Sequence, residues 1–360
     1  MLDRRTLNRS LLGRQFLLDR VDASVADVVE HLVGMQAEVP PDPYVALWSR
    51  VRAFDPAELA QLMRDRDAVR MTLMRTTLHL VGARDAVGIR PLLQAVIERA
   101  FTSSAFARNL ADLDLAPLLA RGVELLEQKP RTTRELAAAL AEEWPGYDSN
   151  SLAYAVRVLV PLVQVTPRGV WGETLQPTNT TLTSWLRRAP AITMSVDELV
   201  LRYLRAFGPA TPADIRTWSW LTNVRAVIDR LRPRLCTYRD ESGRELYDVR
   251  DGAFWDGSAT APIRFLPQYD NVFLAHADRT RIMEHIKWDN SFNHQGTILV
   301  DGFLSGAWRL STERRCGTLT VDIRGPLARS YRDQVATDAE YLLHFLTPDA
   351  RSRDLKMLYS

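Results

Sequence analysis

Lysine is nearly missing from this chain. Lys129, Lys287 and Lys356 are three of its 46 basic residues, and the other 43 are arginine. Cysteine is scarce too: Cys236 and Cys316 form neither a disulfide framework nor a zinc-binding pattern. The histidines (His31, His79, His276, His285, His294 and His344) are scattered, with no HExxH spacing, so no metal and no cofactor is expected. GxGxxG and P-loop patterns are absent. No apolar run reaches membrane-spanning length, which argues against a membrane partner. Met1-Leu2-Asp3-Arg4-Arg5 leads into an amphipathic helix with no signal-peptide core, so the cytoplasm is the expected address. The net charge of +2 is too small to advertise a nucleic-acid binder. A near-neutral total can still conceal a basic region facing an acidic outer surface. The arginine excess is what GC-rich coding produces, and it also supplies planar cations suited to phosphate.

What is present is a repeated order of elements. The pattern predicts helices over 7–19, 24–36, 44–51 and 55–66, then β runs Val69 to Arg75 and Thr77 to Val81. A long helical pattern, 83–105, leads out. Helices recur over 115–127, 132–143 and 149–162, before a strand–turn–strand at 163–172. A third set begins at Ser195, whose Glu198 completes a capping box. It runs through helices 196–207, one opening at Thr211-Pro212, and 223–231, then strands 235–238 and 245–249. Helices followed by a hairpin make a winged helix-turn-helix. After Asp251 short β runs dominate (263–266, 271–274, 297–300, 306–310, 318–323), closed by a helix over 338–345. The expected fold is α+β: three tandem winged-helix units followed by a C-terminal β domain, a small barrel or a curled sheet. The expected divisions are 1–110, 111–190, 191–255 and 256–360. No obligate protein partner is expected.

Gln36-Ala37-Glu38-Val39-Pro40 is the most informative stretch. Val25, Val28, Val29, Leu32 and Val33 keep a helical period, and Gln36 continues that face where an apolar residue is due. Pro40 disfavours helix at Val39. In an extended segment, residues two apart project to one side, so Gln36 and Glu38 aim together. An amide beside a carboxylate can handle water; the bland reading is a helix-terminal Gln and a solvated Glu.

Several stretches resemble one family: Gln36 to Trp48, Leu73 to Val81, Gly208-Pro209-Ala210-Thr211 with Asp214 and Trp218, Leu266 to Asn271, His276-Ala277-Asp278-Arg279, and Asp301-Gly302 with Gly306-Ala307-Trp308. Together they are similar to the tandem winged-helix superfamily of AlkZ-like DNA glycosylases, which implies an α+β fold of three tandem winged-helix units and a C-terminal β-barrel-like domain around a DNA-sized channel. The resemblance implies removal of bulky N7-alkylguanines from double-stranded DNA. It extends to unhooking interstrand crosslinks, self-resistance to a DNA-alkylating natural product, and nucleoid association. The family's catalytic motif is Gln, an apolar residue, then Gln; the related YcaQ-like branch has Asp third. Gln36 matches both, whereas Glu38 matches neither: it is acidic like the second and longer by a methylene.

The resemblance makes Gln36 and Glu38 the catalytic residues. Arg75, Thr76 and His79 on the expected first wing, and Asp270, Asn271, His276 and Arg279 around a later strand, are the candidates for nucleic-acid contact. Arg75 and His79, four apart in an extended run, share a face, for phosphate contact or equally as a partly exposed strand pair. Asp270-Asn271 reads as a turn, and Asp278-Arg279 as a local ion pair. The competing class is a non-enzymatic winged-helix DNA-binding protein or regulator, since fold alone does not decide function.

Overall fold

A computed structural model describes residues 1–188, 193–284, 286, 288–325 and 327–359. His285 and Lys287 lie outside them.

The helix Arg4–Arg14 starts at Asp3, whose side chain accepts the Thr6 N–H. It is not amphipathic in the expected sense, because Asn8, Arg9, Ser10 and Arg14 are buried. Buried polar groups need partners, and here they come from the last third of the chain. Arg14 grips both oxygens of Asp248, at 2.8 and 2.6 Å. Arg9 reaches Asp301 at 2.6 Å. Asn8 donates to the carbonyls of Arg281 and Gly302 at 2.7 and 2.8 Å. The N-terminal helix thus ties distant sequence to the part that carries Gln36.

Three sheets organise the rest. The first contains β1 (Met35–Gln36), β2 (Ala68–Thr72), β3 (Leu78–Gly82), β4 (Arg131–Thr132), β5 (Leu162–Gln164) and β6 (Thr178–Thr181), in the order β1-β3-β2-β5-β6-β4. The expected strand–turn–strand at 163–172 is therefore wider, with its second strand beginning at Thr178. β2 pairs with β5, so hairpins from both sides of residue 110 share one sheet. β7 (Leu235–Arg239) and β8 (Glu245–Val249) form a separate hairpin. The helices between them start as their caps dictate. Thr132 with Glu135 and Thr211 with Asp214 form reciprocal capping boxes. At Ser195 the structure shows the Ser195 oxygen accepting the Glu198 N–H. The long pattern at 83–105 is split into Ala83–Leu92 and Gln94–Thr102.

The third sheet corrects the expected barrel. β9 (Arg264–Leu266), β10 (Gly296–Val300), β11 (Phe303–Glu313), β12 (Cys316–Ile323) and β13 (Ser352–Tyr359) lie in chain order. Among the described residues β9 and β13 are open edges, so no barrel closes and no barrel-like channel forms. The reason lies in the helix Arg329–Leu346. Its Val335, Ala339, Leu342 and Leu343 pack on Phe265, Ile298, Leu319 and Val321 and cover one face. That crossover returns the chain so that β13 adds parallel to β12, a pairing that needs a connection of this kind. Gly296 faces Trp308 in register, and a Cβ there would lie 2.0 Å from the indole. The 271–274 run, expected as strand, is a helical turn because Asp270 accepts the Val272 N–H.

Candidate functional site

The helix Val25–His31 ends at two left-handed residues, Val33 (φ 56°) and Gly34 (φ 86°). They stop the helix before Gln36, earlier than the periodicity predicts, and turn the chain into β1. A Cβ on Gly34 would sit 3.0 Å from the Leu80 carbonyl, and its φ is one that glycine adopts without strain. Asn271 Nδ2 donates to the Gly34 carbonyl at 2.9 Å and steadies this turn from behind.

β1 pairs antiparallel with β3, placing Gln36 opposite His79. The pairing continues: the Ala37 N–H meets the Leu78 carbonyl at 2.8 Å. The Leu78 N–H donates to Glu38 Oε1, also at 2.8 Å. Gln36 is buried; Glu38 is exposed. The carboxylate therefore meets solvent while one oxygen is fixed by backbone.

The turn between β2 and β3 carries Arg75 (φ 56°) and Thr76 (φ 58°), both left-handed. Arg75 Nη2 donates to Gln36 Oε1 at 3.0 Å, and Nη1 to the Trp218 carbonyl at 2.7 Å. Arginine only donates, so the Gln36 amide must present its oxygen to Arg75 and turn its NH2 elsewhere. Burial, and then the nearby Arg279 cation, push Arg75 down to about 10, so it stays charged at neutral pH. Arg279 is half-buried, and burial lowers it as well. Among the described residues neither cation has a carboxylate within ion-pair distance.

His79 is buried and directs Nδ1 at the Thr77 carbonyl, 3.0 Å away. Burial, then Arg75, push it down to about 3. It is therefore neutral, its Nδ1–H donates to Thr77, and Nε2 can accept from Arg75 Nη2 at 3.4 Å. Arg75 and His79 meet because the turn folds back, not because an extended run aligns them.

Two other expected residues lie elsewhere. Asp270 is buried and takes two bonds from Arg50, at 2.8 and 2.7 Å. His276 is buried with Nε2 3.1 Å from the Phe207 carbonyl; burial, then Arg281, push it down to about 3. Asp278 pairs with Arg244 at 2.6 Å instead of with Arg279. The structure thus gathers Gln36, Glu38, Arg75, Thr76, His79 and Arg279, sets Asn271 behind them, and places Asp270 and His276 in the interior.

Sequence reasoning missed the support beneath the motif. Arg70 is buried, and its Nη2 donates to the Ala37 carbonyl at 2.6 Å. Burial, then Arg168, push Arg70 down to about 10, while Glu38, Tyr44 and Asp42 oppose the fall. Asp42 is buried beside it, pushed up to about 7 by burial and by the Asp270 charge. Arg70 sits within an apolar strand run, the one available signal that it serves an internal carbonyl.

Next to this cluster, Tyr44, Trp171, Val45, Leu310 and Trp308 line a cavity of about 790 Å³ with Asp42 in its wall. Among the described residues no group of three or more His, Cys, Asp or Glu side chains is set to hold a metal, and no helix is long and apolar enough to cross a membrane.

No curated protein matches the chain. Among solved structures, Streptomyces sahachiroi DNA glycosylase AlkZ is similar in fold, with a TM-score of 0.73 and 19% identity, covering 99% of this chain and 100% of that one. The family model described as DNA glycosylase AlkZ-like matches residues 29–345, a span that includes the whole Gln36–Arg279 cluster; the chain belongs to the AlkZ-like family.

Proposed function

We propose that the chain is a monofunctional DNA glycosylase that hydrolyses the N-glycosidic bond of N7-alkylated purines in double-stranded DNA, with Gln36 and Glu38 as its catalytic residues. One observation carries this reading: Glu38 offers an exposed, backbone-anchored carboxylate two residues from an amide whose oxygen is already committed to Arg75. Glycosidic cleavage passes through an oxocarbenium-like state attacked by water. An N7-alkylated purine is cationic and leaves neutral, so its departure needs no general acid. The demands are a positioned water and negative charge near the developing cation. The Gln36 NH2 orients water by donating to its oxygen. Glu38 accepts the water proton or stabilises the cation. A Schiff-base route needs an amine nucleophile, and the three lysines all lie beyond residue 110.

Incubation with duplexes carrying N7-methylguanine, bulkier N7 adducts or an interstrand crosslink, followed by hot alkali, reads excision as strand breaks at abasic sites. Breaks with wild type, absent from the Gln36→Ala, Glu38→Ala double variant, support the reading. DNA binding with no breaks on any lesion supports the competing regulator.

A further inference from the structure

The turn after the helix Pro212–Ser219 carries a tryptophan in an unusual position. Trp220 has φ 59° and ψ 11°, left-handed, and its N–H closes on the Arg216 carbonyl at 2.7 Å. For a bulky residue that conformation is a strained outlier. Its neighbours explain why the ring stays outside. Trp218 is buried against Tyr203 and Phe207, and Ser219 and Leu221 are buried too. With both flanks anchored inward, the left-handed step turns Trp220 out, leaving it 44% exposed.

Of the other exposed aromatics, Phe106 stacks on Tyr154, Phe254 meets Tyr238 and Arg332 covers Tyr359, while Tyr341 on the helix Arg329–Leu346 is 64% exposed with no ring or cation against it among the described residues. Among the described residues Trp220 has no ring and no cation over either face. Its carbonyl accepts from the exposed Arg99 at 3.3 Å, and Arg216 is exposed one turn earlier. Two residues back, the Trp218 carbonyl holds Arg75, which in turn holds Gln36.

We infer that Trp220 is a nucleobase-stacking residue: its free indole face packs on a DNA base or on the gap beside an unstacked one, flanked by Arg99 and Arg216 on the phosphates. Base–aromatic stacking with a positive surround is a general way to hold unstacked nucleotides. The inference rests on DNA binding, not on the excision chemistry proposed above.

The test is fluorescence-anisotropy binding of the full chain to an intact duplex and to one with a central abasic analogue, across a salt series. Wild type, Trp220→Asn and Trp220→Phe are compared. Asn tolerates the left-handed region, so Trp220→Asn should melt no lower than wild type. It should bind the abasic duplex roughly tenfold more weakly, within the range one stack supplies. Because stacking releases no counterions, the slope of log affinity against log salt should not change. Trp220→Phe should restore most of the affinity. Wild-type affinity in Trp220→Asn, a shallower salt slope, a lower melting temperature, or no DNA binding by the wild type would each overturn the inference. A chain that binds as expected but excises nothing leaves it standing and removes only the glycosylase reading.

Discussion

Arg75 spans two parts of the chain that are far apart in sequence, donating to Gln36 Oε1 at 3.0 Å and to the Trp218 carbonyl at 2.7 Å. The amide of Gln36 is thereby oriented by a residue of the β2–β3 turn, which is anchored to the helix Pro212–Ser219. A side chain held so acts through its support, and the two should fail together.

Arg75→Leu is therefore expected to slow single-turnover excision of N7-methylguanine by roughly ten- to a hundredfold, the scale of losing one positioning group. Gln36→Ala should lose a similar factor. The double variant should lose little more than either single one, because contacting residues are not additive. Full additivity in this cycle would show that Arg75 acts on DNA alone and does not position Gln36.

Glu38 gives the sharpest test of mechanism. Glu38→Gln keeps an oxygen acceptor for the Leu78 N–H but removes the charge. If the carboxylate is base or counter-charge, excision should fall by roughly a hundredfold or more. Retained activity in Glu38→Gln with loss in Glu38→Ala assigns water positioning through an oxygen instead. Full activity in Glu38→Ala, with folding and DNA binding intact, removes the residue from the mechanism.

The motif was legible because Pro40 and the helical period both constrain it. The strand that holds it was not, since two left-handed residues, Val33 and Gly34, end the helix early and local periodicity carries no trace of them. The Arg75–His79 pair was legible as a pair but for another reason than the one that operates: a turn with positive φ, not a pleat. Arg70 stayed hidden, because a strand arginine reads as solvent-facing until the Ala37 carbonyl is placed beside it. At the C-terminus, short strands with polar turns suggested closure. β13 read as nothing in particular, and its parallel pairing depends on a crossover helix packing. Tertiary contacts of this kind leave no signature in spacing.

Asp270 tests the division between interior and surface. Arg50 and Asp270 are both almost fully buried and bonded through two N–H groups. Removing one partner of such a pair strands the other charge, at a cost of about 3–5 kcal/mol. Asp270→Ala should lower stability by that order in urea unfolding. At temperatures where the variant is folded, the salt dependence of DNA binding should match wild type. A change in salt slope without a change in stability would instead place Asp270 at the DNA.

His79 and His276 set the acid side of the stability profile. Both are held near 3 in the folded chain, below the ordinary value of 6.5. The unfolded chain therefore binds more protons between those values, and stability falls as pH drops from 6.5 toward 3. Each histidine contributes at most about 1.4 kcal/mol per pH unit across that window. His79→Gln should flatten the decline by about one proton in a series of urea melts. An unchanged slope would mean that His79 takes up a proton in the native state.

Asp42 runs the other way. Its carboxyl is pushed up to about 7, chiefly by burial and next by Asp270. The folded chain then binds the extra proton between 3.8 and about 7, so the favourable contribution is complete below 3.8 and is lost as pH rises through 7. Among the described residues Oδ2 has no hydrogen-bond partner, which leaves the ionised form poorly compensated. Asp42→Asn removes the charge without changing the shape, so its effect should grow with pH. At pH 8 the variant should be more stable than wild type by a few kcal/mol, since each pH unit crossed between the two values costs the wild type about 1.4 kcal/mol. At pH 4 the two should be nearly equal. The difference between their urea midpoints, converted to free energy at each pH, checks this. A constant difference from pH 4 to 8 would show that Asp42 is ionised throughout, with Arg70 as its counter-charge.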